Sequence, residues 1–130
     1  MTREQSVSDT PAIRMVMMPH HTNPQGTIFG GVILSLIDQA AFVEAVRQAN
    51  HRYVTVAMET VEFHKPVHMG DVVSLWARTI KIGRTSIRIH VEVMAFRPGD
   101  GSECRVTEAD VVLVAVDSSG SPIEVRSKAS

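Results

Sequence analysis

The chain has 130 residues, 44% of them hydrophobic and 21% charged, which fits one globular domain and excludes a disordered chain. Thirteen lysines and arginines stand against fourteen aspartates and glutamates, a formal net charge of −1, so it lacks the basic excess expected of a nucleic-acid binder. The single cysteine, Cys104, excludes an internal disulfide, no apolar run approaches the ~20 residues of a membrane span, and residues 1–10 carry no apolar leader, so the expected location is the cytoplasm.

In chain order, residues 1–10 read as a flexible arm, residues 11–117 as the domain and residues 118–130 as a loose tail. Ile13 to Met18 is a short first strand that ends at Pro19. His20 to Phe29 is polar, with Pro24 and Gly26, and reads as a loop. Gly30-Gly31 then open a helix that runs to about Ala49, with apolar residues on every side of its wheel. Such a helix must be wrapped by the rest of the fold. Glu44, Arg47 and Gln48 gather late on one side, where the helix is expected to meet solvent.

Long strand-like runs follow, at about Tyr53 to His64, Asp71 to Ile82, Thr85 to Phe96 and Glu103 to Val116. The third alternates strictly, with Ile87, Ile89, Val91, Val93 and Ala95 on one face and Ser86, Arg88, His90 and Glu92 on the other. Turn residues separate the runs at Pro66 to Gly70, Gly83-Arg84 and Pro98 to Gly101. The expected class is α+β, a curved antiparallel meander around one helix. Its edges need protection, so an oligomer that joins sheets edge to edge is expected.

Asp38 is the candidate catalytic group. An unpaired carboxylate on an apolar helix is costly, so it has either a structural partner or a chemical task. The preceding loop supplies matching parts. The N–H groups of Gly30 and Gly31 at the helix start suit an oxyanion, and Asn23 can orient a water or a carbonyl. Each also has a plain reading, as a helix start and as a turn residue before Pro24. Ser35 is in no nucleophile elbow. The six histidines show no ligand spacing, and Pro66 forbids a helix between His64 and His68, so no metal is expected. Lys65, Lys81, Arg84 and Arg88 form a scatter of positive charge. The turn Gly83-Arg84-Thr85-Ser86 can receive a phosphate through N–H, hydroxyl and guanidinium groups.

Thr22-Asn23-Pro24-Gln25-Gly26-Thr27-Ile28-Phe29-Gly30-Gly31 running to Leu36-Ile37-Asp38 resembles the signature of hotdog-fold acyl-CoA thioesterases, more narrowly the bacterial and cytosolic acyl-CoA hydrolase group. Val54 to Glu59, Phe63 to Val73, and Gly83 to Ile87 with Val91 to Val93 resemble later stretches of that family, in the same order. The resemblance implies a hotdog fold, a curved sheet wrapped round the helix. It implies a homodimer as minimal unit, assembled further into tetramers or hexamers, with the active site between protomers. By position it implies that Asp38 is the catalytic acid, that Asn23 is a catalytic asparagine from the opposite protomer, and that Gly30 and Gly31 polarise the thioester carbonyl. It also implies that Gly83, Arg84, Thr85 and Ser86, with Lys65, hold coenzyme A. Coenzyme A is then part of the substrate, and no separate cofactor is implied. Pro24, Gln25 and His20-His21 depart from the family pattern at the pocket mouth. Rival readings are an acyl-CoA-binding regulatory module, a hotdog hydratase, which would need a histidine on the helix, and a structural domain.

Overall fold

The computed structural model describes residues 10–126. The expected arm, apart from Thr10, and residues 127–130 of the expected tail lie outside the described residues.

Strict alternation makes the strand β4 (Ser86–Arg97) the spine of the sheet: Ile87, Ile89, Val91, Val93 and Ala95 are buried on one face. It lies between β3 (Val72–Ile82) and β5 (Ser102–Val116). β1 (Ile13–Val16) flanks β3, and β2 (Arg52–Phe63) flanks β5, in the order β1-β3-β4-β5-β2 with every pair antiparallel. Only β3, β4 and β5 form the expected meander. β2 does not pair with β3 but sits at the far edge, because residues 64–71 carry the chain across the sheet before β3 starts. That crossing is anchored where Ile28 N–H donates to the Val67 carbonyl and where Thr27 bridges His68.

Register shifts in β2, β3 and at the β4–β5 pair bend the long strands round the helix α1 (Gly30–Gln48). In β2 the irregularity between Glu59 and Glu62 includes Thr60 at φ 50, a left-handed conformation that a β-branched residue adopts at a cost. Ile33, Ile37, Ala40, Ala41 and Ala45 of α1 are buried against the sheet's concave face, and the alanines let helix and sheet approach closely. Each fully buried Ile, Leu or Val there contributes about 1.5–3 kcal/mol.

Two expectations are corrected. Glu44 does not reach solvent: it lies on the same helix face as Ile37 and is only 3% exposed. Its carboxylate accepts from Arg47, Gln48 and, across the layer, the Thr79 hydroxyl on β3 at 2.9 Å. Four donors thus offset the burial of one charge. Residues 118–126 are not loose either. Asp117 Oδ1 accepts N–H bonds from Ser119 and Ser121, closing a turn. Ile123 N–H then donates to the Ala115 carbonyl, and Val125 is buried. An apolar residue at every second position, Ile123 and Val125, draws this strap onto the sheet's end.

Candidate active site

The loop before α1 is held by its own side chains. Asn23 Oδ1 accepts from Gln25 N–H at 3.0 Å and Thr27 N–H at 3.1 Å, while Nδ2 donates to Thr27 Oγ1 at 2.9 Å. Asn23 therefore shapes the loop, as its plain reading expected, and keeps one amide N–H to offer elsewhere. Phe29 precedes α1 and provides no side-chain cap. The N–H groups of Gly30 and Gly31 have no protein acceptor among the described residues, so they carry the positive end of the helix dipole into solvent. A Cβ on Gly31 would meet nothing, and neither glycine has a positive φ. Packing within one copy therefore does not require glycine at 31.

Asp38 is partly exposed, although a helix apolar on every side was expected to be wrapped by the fold. It opens into a cleft of about 630 Å³ lined by Ile13, Gln39, Phe42, Val43, Tyr53, Val54 and Thr55. That is the size and character of a small-molecule site, apolar with few polar groups. The Thr55 hydroxyl on β2 donates to Asp38 Oδ1 at 2.6 Å, which orients the carboxylate and leaves Oδ2 unbonded. The Tyr53 hydroxyl donates to the Ala49 carbonyl, and burial raises its pKa against the lowering effect of Arg126. It stays a neutral wall of the cleft. Thr55 was not singled out from the sequence, where it is one polar residue in a strand. Its signal is a hydroxyl between Val54 and Val56, seventeen residues beyond Asp38 on the strand that leaves the helix.

The single chain does not bring all the expected residues together. Gly31 and Asp38 share a face of α1 but lie about 10 Å apart at 1.5 Å per residue. Gly30 sits under the Phe63 ring, 3.5 Å from where a Cβ would be, and the Asn23 loop rests on Val67 and His68. Lys65 belongs to this same end, its N–H directed at the Val106 carbonyl at 3.3 Å. The turn Gly83–Ser86 lies at the other end. Phe63 pairs with Thr107 and Ser86 with Val114, positions about 23 Å apart along β5 at ~3.3 Å per residue. Within one protomer, therefore, Lys65 does not join that turn, and Gly30, Gly31 and Asn23 do not line the Asp38 cleft. The turn itself is tight: Gly83 N–H donates to the Ser86 carbonyl at 2.8 Å, and a Cβ on Gly83 would fall 2.9 Å from Ser86 Oγ. The exposed Arg84 projects from it.

On the outer face, cross-strand pairing gathers charges that the sequence spacing did not show. Glu62 lies opposite Glu108 and Glu108 opposite Glu92. His64 Nε2 is 2.9 Å from Glu108 and 3.7 Å from Glu62, and Arg105 bonds Glu92 at 2.9 Å. The bond from His64 is the main reason the Glu108 carboxyl titrates below its ordinary value.

Among the described residues nothing pairs with the outer edge of β2, and Val54, Val56, Val61 and Phe63 of that strand are exposed, as are Phe42 and Val43 of α1. No helix among the described residues is long and apolar enough to cross a membrane.

Residues 25–102 match the model of the thioesterase superfamily. The acyl-CoA thioester hydrolase YciA of Salmonella typhimurium is 41% identical over 113 residues, covering 85% of this chain and 85% of the relative. An uncharacterised acyl-CoA thioester hydrolase of Zymomonas mobilis is 41% identical over 115 residues, covering 88% and 77%. A hexameric thioesterase of Yersinia pestis superposes with a TM-score of 0.87 at 39% identity over 92% of this chain and 98% of that one. A hexameric hotdog-fold thioesterase of Campylobacter jejuni does so with a TM-score of 0.85 at 40% identity over 90% of each.

Proposed function

The chain belongs to the thioesterase superfamily and has its hotdog fold, and from that premise we propose that it is an acyl-CoA thioester hydrolase whose active site is completed by a second copy of the chain. The observation that carries the reading is Asp38 in an apolar cleft, held at one oxygen by Thr55, with two uncapped amides about 10 Å or more away along α1, too far to serve it in the same protomer. A two-fold axis across the free edge of β2 removes the mismatch. Antiparallel pairing of β2 with its copy reverses the ends. The helix start, Asn23 and Lys65 of one copy then approach the Asp38 cleft and the Gly83–Ser86 turn of the other. The pairing covers Val54, Val56, Val61 and Phe63 and ends the exposed edge. The relatives from Yersinia and Campylobacter are hexameric, which favours a trimer of such dimers over a tetramer.

In this arrangement the acyl chain lies along Phe42, Val43 and Val54. The thioester carbonyl oxygen accepts the N–H of Gly31, and of Gly30, from the second copy. Asn23, already fixed by Thr27, offers its remaining N–H. Asp38 acts through the oxygen that Thr55 leaves free. As a base it takes a proton from water while the water oxygen attacks the carbonyl carbon. As a nucleophile it attacks that carbon itself and forms an anhydride that water opens. In both cases charge that moves onto the carbonyl oxygen is met by the amides and the helix dipole. In the first route the carbon–sulfur bond then breaks, the sulfur takes the proton that Asp38 holds, and free acid and coenzyme A leave; in the second the carbon–sulfur bond breaks as the anhydride forms, the thiolate takes a proton from solvent, and water then opens the anhydride to the free acid and Asp38. Arg84 with the N–H and hydroxyl groups of Thr85 and Ser86, and Lys65 of the second copy, hold the phosphates. Coenzyme A enters as part of the substrate, and the cytoplasm is where such esters and a reduced Cys104 coexist.

The test is release of free thiol from acyl-CoAs of increasing chain length, with Asp38→Asn alongside. Turnover by the wild type that falls by at least about a hundredfold in the variant is expected. Binding of the esters without thiol release would instead make the chain an acyl-CoA-binding module.

A further inference from the structure

Residues 121–126 lie across the same end of the sheet as the Gly83–Ser86 turn. Val125 N–H donates to the Arg84 carbonyl at 2.9 Å, and Ala115 N–H takes the Thr85 carbonyl at 2.9 Å. The Val125 carbonyl in turn meets His51 Nε2 at 2.7 Å, so that nitrogen carries a proton and donates. The Val125 side chain is 1% exposed. The turn's carbonyls are thereby spent inward, against the strap and β5. What it presents outward is the Arg84 side chain, with the Thr85 and Ser86 groups behind it.

The strap also adds charge. Arg126 follows the residue bonded to Arg84, is exposed, and makes one bond, to the Gln48 side-chain oxygen at 3.0 Å. Arg52, beside His51, is exposed as well. Among the described residues none of Arg52, Arg84 and Arg126 has a carboxylate within ion-pair distance, whereas Arg88 and Arg105 on the sheet's outer face are paired. Glu124, the strap's own carboxylate, pairs with neither Arg84 nor Arg126. Three unpaired guanidiniums around a glycine turn repel one another, and a polyphosphate would offset that repulsion.

We propose that the C-terminal strap belongs to the nucleotide end of the substrate site: Val125 and His51 hold the Gly83–Ser86 turn in place, and Arg126 is a phosphate-binding residue beside Arg84. This rests on the reading of that turn as the coenzyme A contact. The ligand class is a thioester that carries a nucleotide with several phosphates, and the strap acts on the nucleotide, not on the acyl group.

The experiment compares two thioesters of one acid, hexanoyl-CoA and the hexanoyl ester of N-acetylcysteamine, which has the reacting group without the nucleotide. The full-length chain is used with Arg126→Gln, His51→Phe and Arg84→Gln, and a chain that ends after Ser121 is used where it folds. Arg126→Gln should raise KM for hexanoyl-CoA about three- to tenfold with kcat unchanged, as expected for one charge-assisted contact in solvent, so the ratio of the two esters' specificity constants falls by the same factor. His51→Phe should lower the ratio in the same direction, and the shortened chain at least as far as Arg126→Gln. An unchanged ratio in Arg126→Gln and His51→Phe overturns the proposal. If Arg84→Gln alone lowers the ratio, the turn still holds the nucleotide and only the strap is excluded. If no variant moves it, both readings fail.

Discussion

Replacing Thr55 with valine removes one hydroxyl and keeps the side chain's shape. In the folded chain that hydroxyl makes a 2.6 Å bond to Asp38 Oδ1, a hydrogen bond to an ionised group. Such bonds contribute about 1.5–3 kcal/mol, and the partly exposed cleft places this one at the lower end. At about 1.4 kcal/mol per factor of ten, Thr55→Val should lower kcat roughly tenfold. Stability should fall by no more than about 1.5 kcal/mol, because the bond is made in the folded chain too, while Thr55 is exposed and valine suits a strand. Thr55→Ser keeps a donor and should stay within about threefold of wild type. Thiol release gives kcat and KM, and a thermal melt checks the fold. A Thr55→Val enzyme with unchanged kcat, or a Thr55→Ser enzyme as slow as Thr55→Val, would refute the idea that the hydroxyl orients Asp38.

Glu44→Ala strands the donors of Gln48 and Thr79 in the layer between α1 and β3, and should cost about 2–3 kcal/mol in urea unfolding, and Arg47→Ala, which leaves the buried carboxylate without a cation and with two of its four donors, should cost a comparable amount. For Asp71, burial raises the carboxyl's pKa, but the bidentate bond from Arg97 and the His68 N–H lower it further, so the net value lies below the ordinary 3.8. A depressed folded pKa contributes stability that is present above 3.8 and is lost as pH falls through the folded value. Asp71→Asn should therefore unfold at lower urea than wild type at pH 7, with the gap closing below about pH 4; a gap of equal size at both pH values would contradict the assignment.

Elements that announce themselves by local pattern were legible in the sequence. Alternation through Ile87 to Ala95 and the all-round apolar run after Gly31 mark β4 and α1 to within a residue or two. The order of strands was not legible, since nothing local distinguishes a hairpin between β2 and β3 from a crossing over the sheet. Glu44 misled because charge signals solvent, while its four donors come partly from a strand 35 residues away. The strap misled because its polar start hides two inward apolar residues. At the proposed site, Asp38, Gly30 and Gly31 stand out by residue type alone. Thr55 needed the β2–α1 contact, and the separation of the two ends needed the register of β2, β4 and β5. A sequence holds no direct trace of a second copy. The fold points to the need for one because it places the proposed parts of the site at opposite ends.

That need is tested most directly by mixing two inactive variants, Asp38→Asn and Asn23→Ala, by co-expression or by refolding together. If each site takes Asp38 from one copy and Asn23 from the other, half of the dimers are mixed and each mixed dimer holds one intact site, so the mixture should recover about a quarter of wild-type thiol release. A mixture that stays as inactive as its components would contradict the shared site, and both groups would then have to act within one protomer.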